Sequence, residues 1–437
     1  PSPAPCSRAM GQAVGGSVEE RSFRHAIGPG ILFAGAAVGV SHLVQSTRAG
    51  ASYGLSLVLV ILLANLVKYP AFRLGPQYAA ATRTSMLEGY RRLGRAPLVL
   101  YGLVTVATMF GVQAAVTFVC AALLLALLGL QASPVLASGG LLVFCLGLLA
   151  VGSYKWLDRI TKVAVAVLTV ATVIATVLAL GRVDWGLPWI PDLASFGRGD
   201  WLFVAALVGW MPSAIDVSLW QSLWVLARAR DSKRLPSVRA SLVDFHVGYG
   251  GTVVLALCFV LLGVAVLHGR EVEIPAQAHA FGSLVVGLYA EMLGEWSRPL
   301  VGAAAFLVMF STTFTVVDGF PRALAALTDR FRGPERPLDV ANDTEPRLGR
   351  AYAVAAGVLF VGSMSILAFA ASSLKTLVDF ATTASFLTAP ILASLNHAAM
   401  RDVPAEGRMS PMLRFGSLAG IVVQAAIAVG WLWLSCG

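Results

Sequence analysis

The sequence predicts an all-α membrane protein with eleven transmembrane helices, on three observations. Apolar runs long enough to span a bilayer recur along the chain, charge is scarce, and the basic residues alternate between successive loops. Hydrophobic residues make up 57% of the 437 residues and charged residues 13%, against about 25% charged in soluble domains. Mean hydropathy is +0.77. A run of about 20 apolar residues crosses roughly 30 Å of hydrocarbon, and over such runs only helices satisfy their own backbone polar groups in lipid.

Spans are expected at 27–47, 54–74, 97–129, 134–153, 161–181, 200–227, 243–267, 297–321, 350–372, 375–397 and 413–435. Residues 1–26 are rich in Ser, Gly and Ala and lack an apolar core, so they read as a mobile tail and not as a signal peptide. Residues 27–437 read as a single membrane domain. Trp156, Trp185, Trp189, Trp201, Trp296 and Trp431 fall near expected span ends, where interfacial anchors belong. Residues 281–293 are amphipathic and too short to span, which suggests an interfacial helix; 84–95 has the same character on the other side.

The net charge of +9 raises the question of nucleic acid, and the distribution answers it. Most of the 32 Lys and Arg residues lie in alternate loops, such as Arg91, Arg92 and Arg95, then Arg228, Arg230 and Arg234, then Arg330, Arg332 and Arg336. A nucleic-acid patch would not alternate. By the positive-inside rule the protein is integral to the cell (inner) membrane, with a cytoplasmic N-terminus and an extracytoplasmic C-terminus. The five cysteines are scattered without a C-x-x-C pair, which argues against a disulfide framework or a zinc site. No P-loop, dinucleotide fingerprint, H-E-x-x-H or G-x-S-x-G sequence occurs, so the chain reads as no enzyme and no cofactor is expected.

Two spans share an anomaly. The first carries Gly35, Gly39, Ser41 and His42 in mid-run, where Gly weakens a helix and small polar side chains compete for the backbone. The sixth carries Met211, Pro212 and Ser213 in mid-run, and Pro removes a helical hydrogen bond. Either alone could be a packing kink. Together, in the first and sixth spans, they match transporters built from two inverted five-helix repeats, which bind substrate at discontinuous helices. The repeats would cover about 27–181 and 200–397, leaving 413–435 as an extra helix.

Ionisable residues inside spans usually line a cavity or pair with one another. Asp216 lies about one turn past Pro212 and reads either as a cation or proton carboxylate or as a partner for Arg48. His42 could ligate a metal, carry a proton or donate a hydrogen bond. Met211 could ligate a soft metal or fill the core. Asp318 and Arg322, like Lys375 and Asp379, have intrahelical pair spacing, with a coupling role for Asp318 as the alternative. Asp244 and His246 read as interfacial. Gln45 and Trp210 border the breaks, and Trp220 and Trp224 could wall a cation site or face lipid. The expected substrate set is therefore Gly39, Ser41, His42, Gln45, Trp210, Met211, Ser213 and Asp216.

The run from Ile27 to Ile31, the first break, Arg48 to Gly54, and Met211-Pro212 resemble the natural-resistance-associated macrophage protein family, proton-coupled importers of divalent metals. The resemblance implies a LeuT-type 5+5 inverted-repeat fold with helices 1 and 6 broken. Its motifs are changed at the site itself. The family's metal-binding Asp falls on Gly39 and its Asn on His42, while the His of its Met-Pro-His motif falls on Ser213.

Three functions follow as expectations. The first is divalent metal transport with protons as the coupling ion, through a rebuilt site of His42, Met211 and Asp216. The second is transport of a small organic cation or zwitterion on the same scaffold. The third is a non-transporting sensor. The expected partners are the lipid bilayer and a small solute or metal ion.

Overall fold

The computed structural model describes residues 28–270, 278–342, 349–370 and 374–436, and among them every regular element is helical. The expected tail at 1–26 lies outside the described residues. The helices are α1 (Pro29–Ala37), α2 (Thr47–Tyr53), α3 (Val58–Thr82), α4 (Met86–Leu93), α5 (Arg95–Leu128), α6 (Pro134–Ala179) and α7 (Arg198–Trp210). They continue with α8 (Asp216–Ser232), α9 (Val238–Leu267), α10 (Ala278–Leu293), α11 (Arg298–Arg332), α12 (Arg350–Ala370), α13 (Leu374–Ala399) and α14 (Pro411–Cys436).

Among the described residues, 9 helices are long and apolar enough to span, or 10 if the bent pair formed by the first span counts as one. The sixth expected span is present as α7 and α8, of 13 and 17 residues. Both predicted breaks are therefore real. α1 ends at Ala37, and the chain resumes at Ser41 bent by 47°, through a wide π-helical turn at Ser41–Ser46. α7 stops at Trp210 and α8 starts at Asp216, because Pro212 supplies no backbone N–H.

Two expectations are corrected. The fourth and fifth spans are present as Pro134–Val151 and Asp158–Arg182, but helix and not a loop joins them within α6, so the basic stretch around Arg159 and Lys162 is helical. Lys162 bonds Asp158 at 2.7 Å, one turn away, which supports that continuation. The segment around α4 does not lie along the surface, since Met86 to Tyr90 are buried. The cause is Glu88. Its carboxylate accepts from Arg91 at 2.8 and 2.9 Å, from the Glu335 backbone N–H at 2.9 Å and from Arg330 at 3.4 Å. Glu335 in turn accepts from the Ser85 backbone N–H and hydroxyl at 3.0 and 2.5 Å. α4 is thus pinned to the end of α11 at the arginine-rich face of the bundle. Burial pushes the Glu88 carboxyl up, but Arg91, the Glu335 N–H and Arg330 together hold it below the ordinary carboxylate value.

The long helices sort by burial. In α5 and α11, 78% of the most apolar window is inside the protein, against 22% in α14. α5 and α11 are therefore central, and α14 is peripheral, packed on α3 and α13. α10 is seated on the bundle as well: Tyr289 is buried and shares a 2.9 Å hydrogen bond with Thr172. Close packing relies on small residues. A Cβ on Gly75 of α3 would collide with the Ser218 carbonyl of α8, which fixes α3 against the second half of the sixth span.

Candidate substrate site at the two broken helices

The two breaks face one cavity of about 30 Å³, lined by Ala36, Ala37, Val40 and Ser41 from the first, and by Trp210, Ser213, Asp216 and Trp220 from the sixth. Val112 and Val116 of α5, and Thr312, Val316 and Phe320 of α11, complete it. That volume holds about one or two waters. The conformation is closed around the site.

Asp216 is the first residue of α8. It is 2% exposed, and its Oδ1 is buried without a hydrogen-bond partner among the described residues. Trp220 Nε1, one turn on, is likewise unpaired. Both residues line the cavity. Trp220 and Trp224 are both buried, which removes the lipid-facing alternative. Trp210 donates from Nε1 to Ser385 Oγ at 2.8 Å, tying the end of α7 to α13.

Arg48 is not the partner of Asp216. Its Nη1 donates to Asp379 Oδ1 at 2.7 Å and to Gln45 Oε1 at 3.0 Å, and its guanidinium lies over the Phe203 ring, 4.6 Å from the centroid. Gln45 also donates to Asp379 at 3.3 Å. Gln45 therefore belongs to this tie beyond the break and not to the cavity wall. The expected Lys375–Asp379 pairing involves a Lys375 side chain that lies outside the described residues.

His42 turns away from the cavity. Nε2 donates to the Thr252 carbonyl of α9 at 2.9 Å, and Nδ1 lies 2.7 Å from the Ser41 hydroxyl and 3.1 Å from the Ala37 carbonyl. Met211 is fully buried in an apolar cluster with Leu57, Ile61, Phe203 and Val260, and it is not among the cavity residues. His42, Met211 and Asp216 thus face different surroundings. Among the described residues no group of three or more His, Cys, Asp or Glu side chains is placed to hold a metal ion.

Gly39 explains why a first-span carboxylate is missing. A Cβ there would lie 2.7 Å from Thr312 Oγ1 and 2.8 Å from its Cγ2, so Thr312 fills the space. The same Oγ1 donates to the Gly35 carbonyl at 2.7 Å, with the Val38 carbonyl at 3.3 Å, and Ser41 Oγ donates to the Ala37 carbonyl at 2.5 Å. Side-chain hydroxyls thereby bond carbonyls at the first break.

Asp318 pairs with Arg322 at 2.8 Å through both carboxylate oxygens, as its spacing suggested. It also accepts from Trp224 Nε1 at 3.1 Å and Tyr352 Oη at 3.3 Å. This links α8, α11 and α12 below the cavity. Asp244, expected at an interface, is buried and accepts from the backbone N–H groups of Gly28 and Gly30 at 3.1 and 2.6 Å, where its charge meets the positive end of α1.

Sequence reasoning missed two residues at the site. Thr312 carried no local signal. Lys68 did: it lies in mid-span, in a span without Asp or Glu, and its Nζ donates to the carbonyls of Val208 and Gly209 at 2.6 and 2.8 Å.

No protein-family model matches the chain. Its fold is similar to that of the Eremococcus coleocola manganese transporter solved with an aromatic bis-isothiourea compound, at TM-score 0.66 and 14% identity over 97% of this chain and 87% of that one. It is also similar to MhsT in complex with L-phenylalanine, at TM-score 0.64 and 15% identity over 93% and 97%. A third likeness is to Mhp1, a nucleobase-cation-symport-1 family transporter, at TM-score 0.52 and 14% identity over 93% and 92%. The chain therefore has the LeuT-type fold. One relative is closer in sequence, 34% identical over 428 residues and covering 93% of each chain; with it, this chain belongs to the family of the uncharacterized protein PM0681 of Pasteurella multocida.

Proposed function

We propose that the protein is a secondary transporter of a small organic cation or zwitterion, whose positive group is held by Asp216 between the two breaks. The observation that carries this reading is the buried, unpaired Oδ1 of Asp216 beside a largely apolar and aromatic wall. A carboxylate in such surroundings gains from a cation that brings its own apolar body. The Trp220 and Phe320 rings, 4.7 Å apart between centroids, add faces that attract positive charge. Ser41, Ser213 and Trp210 would orient the solute. Gly39 would leave room for Thr312 to hold the first break shut.

The donor set argues against a divalent metal as the substrate. Such an ion needs several oxygen, nitrogen or sulfur ligands converging on one point; here His42 and Met211 are engaged elsewhere. In this reading Asp216 is also the residue on which substrate charge and proton compete, and Asp318 joins movements of α8 to α11 and α12. The arginine-rich end is assigned to the cytoplasm by the positive-inside rule.

The cavity must widen to admit a solute, so binding selects an open state and shifts the population toward it. A thermal-unfolding screen of the purified full chain against organic amines, amino acids, manganese and magnesium tests the reading. It stands if an amine-bearing compound raises the midpoint by about 2 °C or more and Asp216→Asn abolishes that rise. It falls if manganese stabilises the protein and no organic compound does.

A further inference from the structure

Lys68 places a charge in the middle of α3, with the side chain 1% exposed. Its Nζ donates to the Val208 carbonyl at 2.6 Å and the Gly209 carbonyl at 2.8 Å, with the Ser213 carbonyl at 3.5 Å. Among the described residues it forms no ion pair with a carboxylate. A buried ammonium without an anion is costly unless all its protons are bonded; here three carbonyls meet three N–H donors.

The identity of those carbonyls matters. Val208 and Gly209 are in the last turn of α7, so their oxygens lie at the negative end of the half-helix dipole; the Val208 oxygen also accepts from the Met211 backbone N–H at 3.3 Å. Ser213 belongs to the unwound stretch between α7 and α8. Half-helix C-termini and unwound carbonyls of this kind form the coupling-cation sites of transporters with discontinuous helices. In this chain a side chain fills such a site from a neighbouring helix.

We infer that the Lys68 ammonium is a resident cation of the sixth-span break, occupying a carbonyl cage that would otherwise take a sodium ion. It is a positioning residue: it holds the end of α7 against Ser213 and so keeps Trp210, Ser213 and Asp216 around one cavity. A tethered ammonium cannot leave with the substrate, so the closed state of this protein needs no bound sodium. Removing the ammonium while keeping the space leaves a hole lined by carbonyls, into which a small cation can bind.

The inference uses the transporter reading only for its consequence, and its test reads cation occupancy directly, so the two fail separately. Thermal unfolding of the purified full chain is compared in sodium chloride, choline chloride, methylammonium chloride and tetramethylammonium chloride, for the wild type, Lys68→Met and Lys68→Ala. The wild type is expected to unfold at the same temperature in all four. The Lys68→Ala variant should recover by about 2 °C or more in sodium or methylammonium relative to choline, but not in tetramethylammonium, which has the charge without an N–H donor. Lys68→Met, which refills the volume, should show a smaller methylammonium response. Sodium-dependent stabilisation of the wild type would overturn the inference without any variant having to fold. So would a Lys68→Ala variant that unfolds identically in all four salts, since a purely structural cap leaves no cation site behind.

Discussion

Arg48 Nη1 and Asp379 Oδ1 are 2.7 Å apart, and this contact joins the second half of the first span to α13 on one side of the substrate cavity. Gln45 and Phe203 hold the same guanidinium, so three spans meet at one side chain. The Asp379 side chain is 31% exposed, and water therefore weakens the pair. A double-mutant cycle with Arg48→Met and Asp379→Asn, read by thermal unfolding, should give a coupling of about 1 kcal/mol or less. A coupling near zero would mean that the stacking on Phe203 alone places the arginine.

The Asp318 node is deeper. Asp318 is fully buried, with bonds from Arg322, Trp224 and Tyr352. Asp318→Ala should cost about 3–5 kcal/mol, because it strands the Arg322 charge. Adding Arg322→Met should return part of that loss. Chemical denaturation of the single and double variants checks both statements.

Gly39→Asp tests the divergence from the metal-transporter motif. The new side chain would meet Thr312 at once, and overpacking with a buried charge is expected to destabilise by about 2–4 kcal/mol. Manganese binding should not appear. Calorimetric titration with manganese, in Gly39→Asp alone and with Thr312→Ala to make room, measures it.

Glu88 sets an acid limb for stability. Its carboxyl titrates below the ordinary value of 4.5 in the folded protein, so the folded state binds fewer protons than the unfolded one near that pH. The resulting stabilisation is complete above about pH 4.5 and is lost as pH falls through the lower, folded value. Glu88→Gln should lower the unfolding midpoint at neutral pH and flatten its decline between about pH 5 and 3. Midpoints measured across that range for both proteins decide it.

The spans and breaks were legible because their causes are local. Long apolar runs need helices in lipid, and Pro212 and the Gly35 to His42 stretch interrupt helices by their own chemistry. Asp216 was legible as a costly intramembrane charge. Partnerships were not. Arg48 was paired in expectation with Asp216, but its partner comes from α13, more than 300 positions along the chain. His42 sits in the break, yet its ring is claimed by Thr252 of α9. Thr312 is an ordinary threonine until α11 packs on the first break and its hydroxyl finds the Gly35 carbonyl. Lys68 was readable as an anomaly, though only the bundle supplies the carbonyls that explain it.

The central claim is that the Asp216 carboxylate holds the positive group of an organic solute between the breaks. Uptake of the best-stabilising amine into proteoliposomes, compared between wild type and Asp216→Asn at matched protein incorporation, tests it most directly. The account predicts uptake in the wild type that falls by about 100-fold or more in Asp216→Asn, with manganese neither transported nor competing. Manganese uptake by the wild type, or amine uptake undiminished in Asp216→Asn, would contradict it.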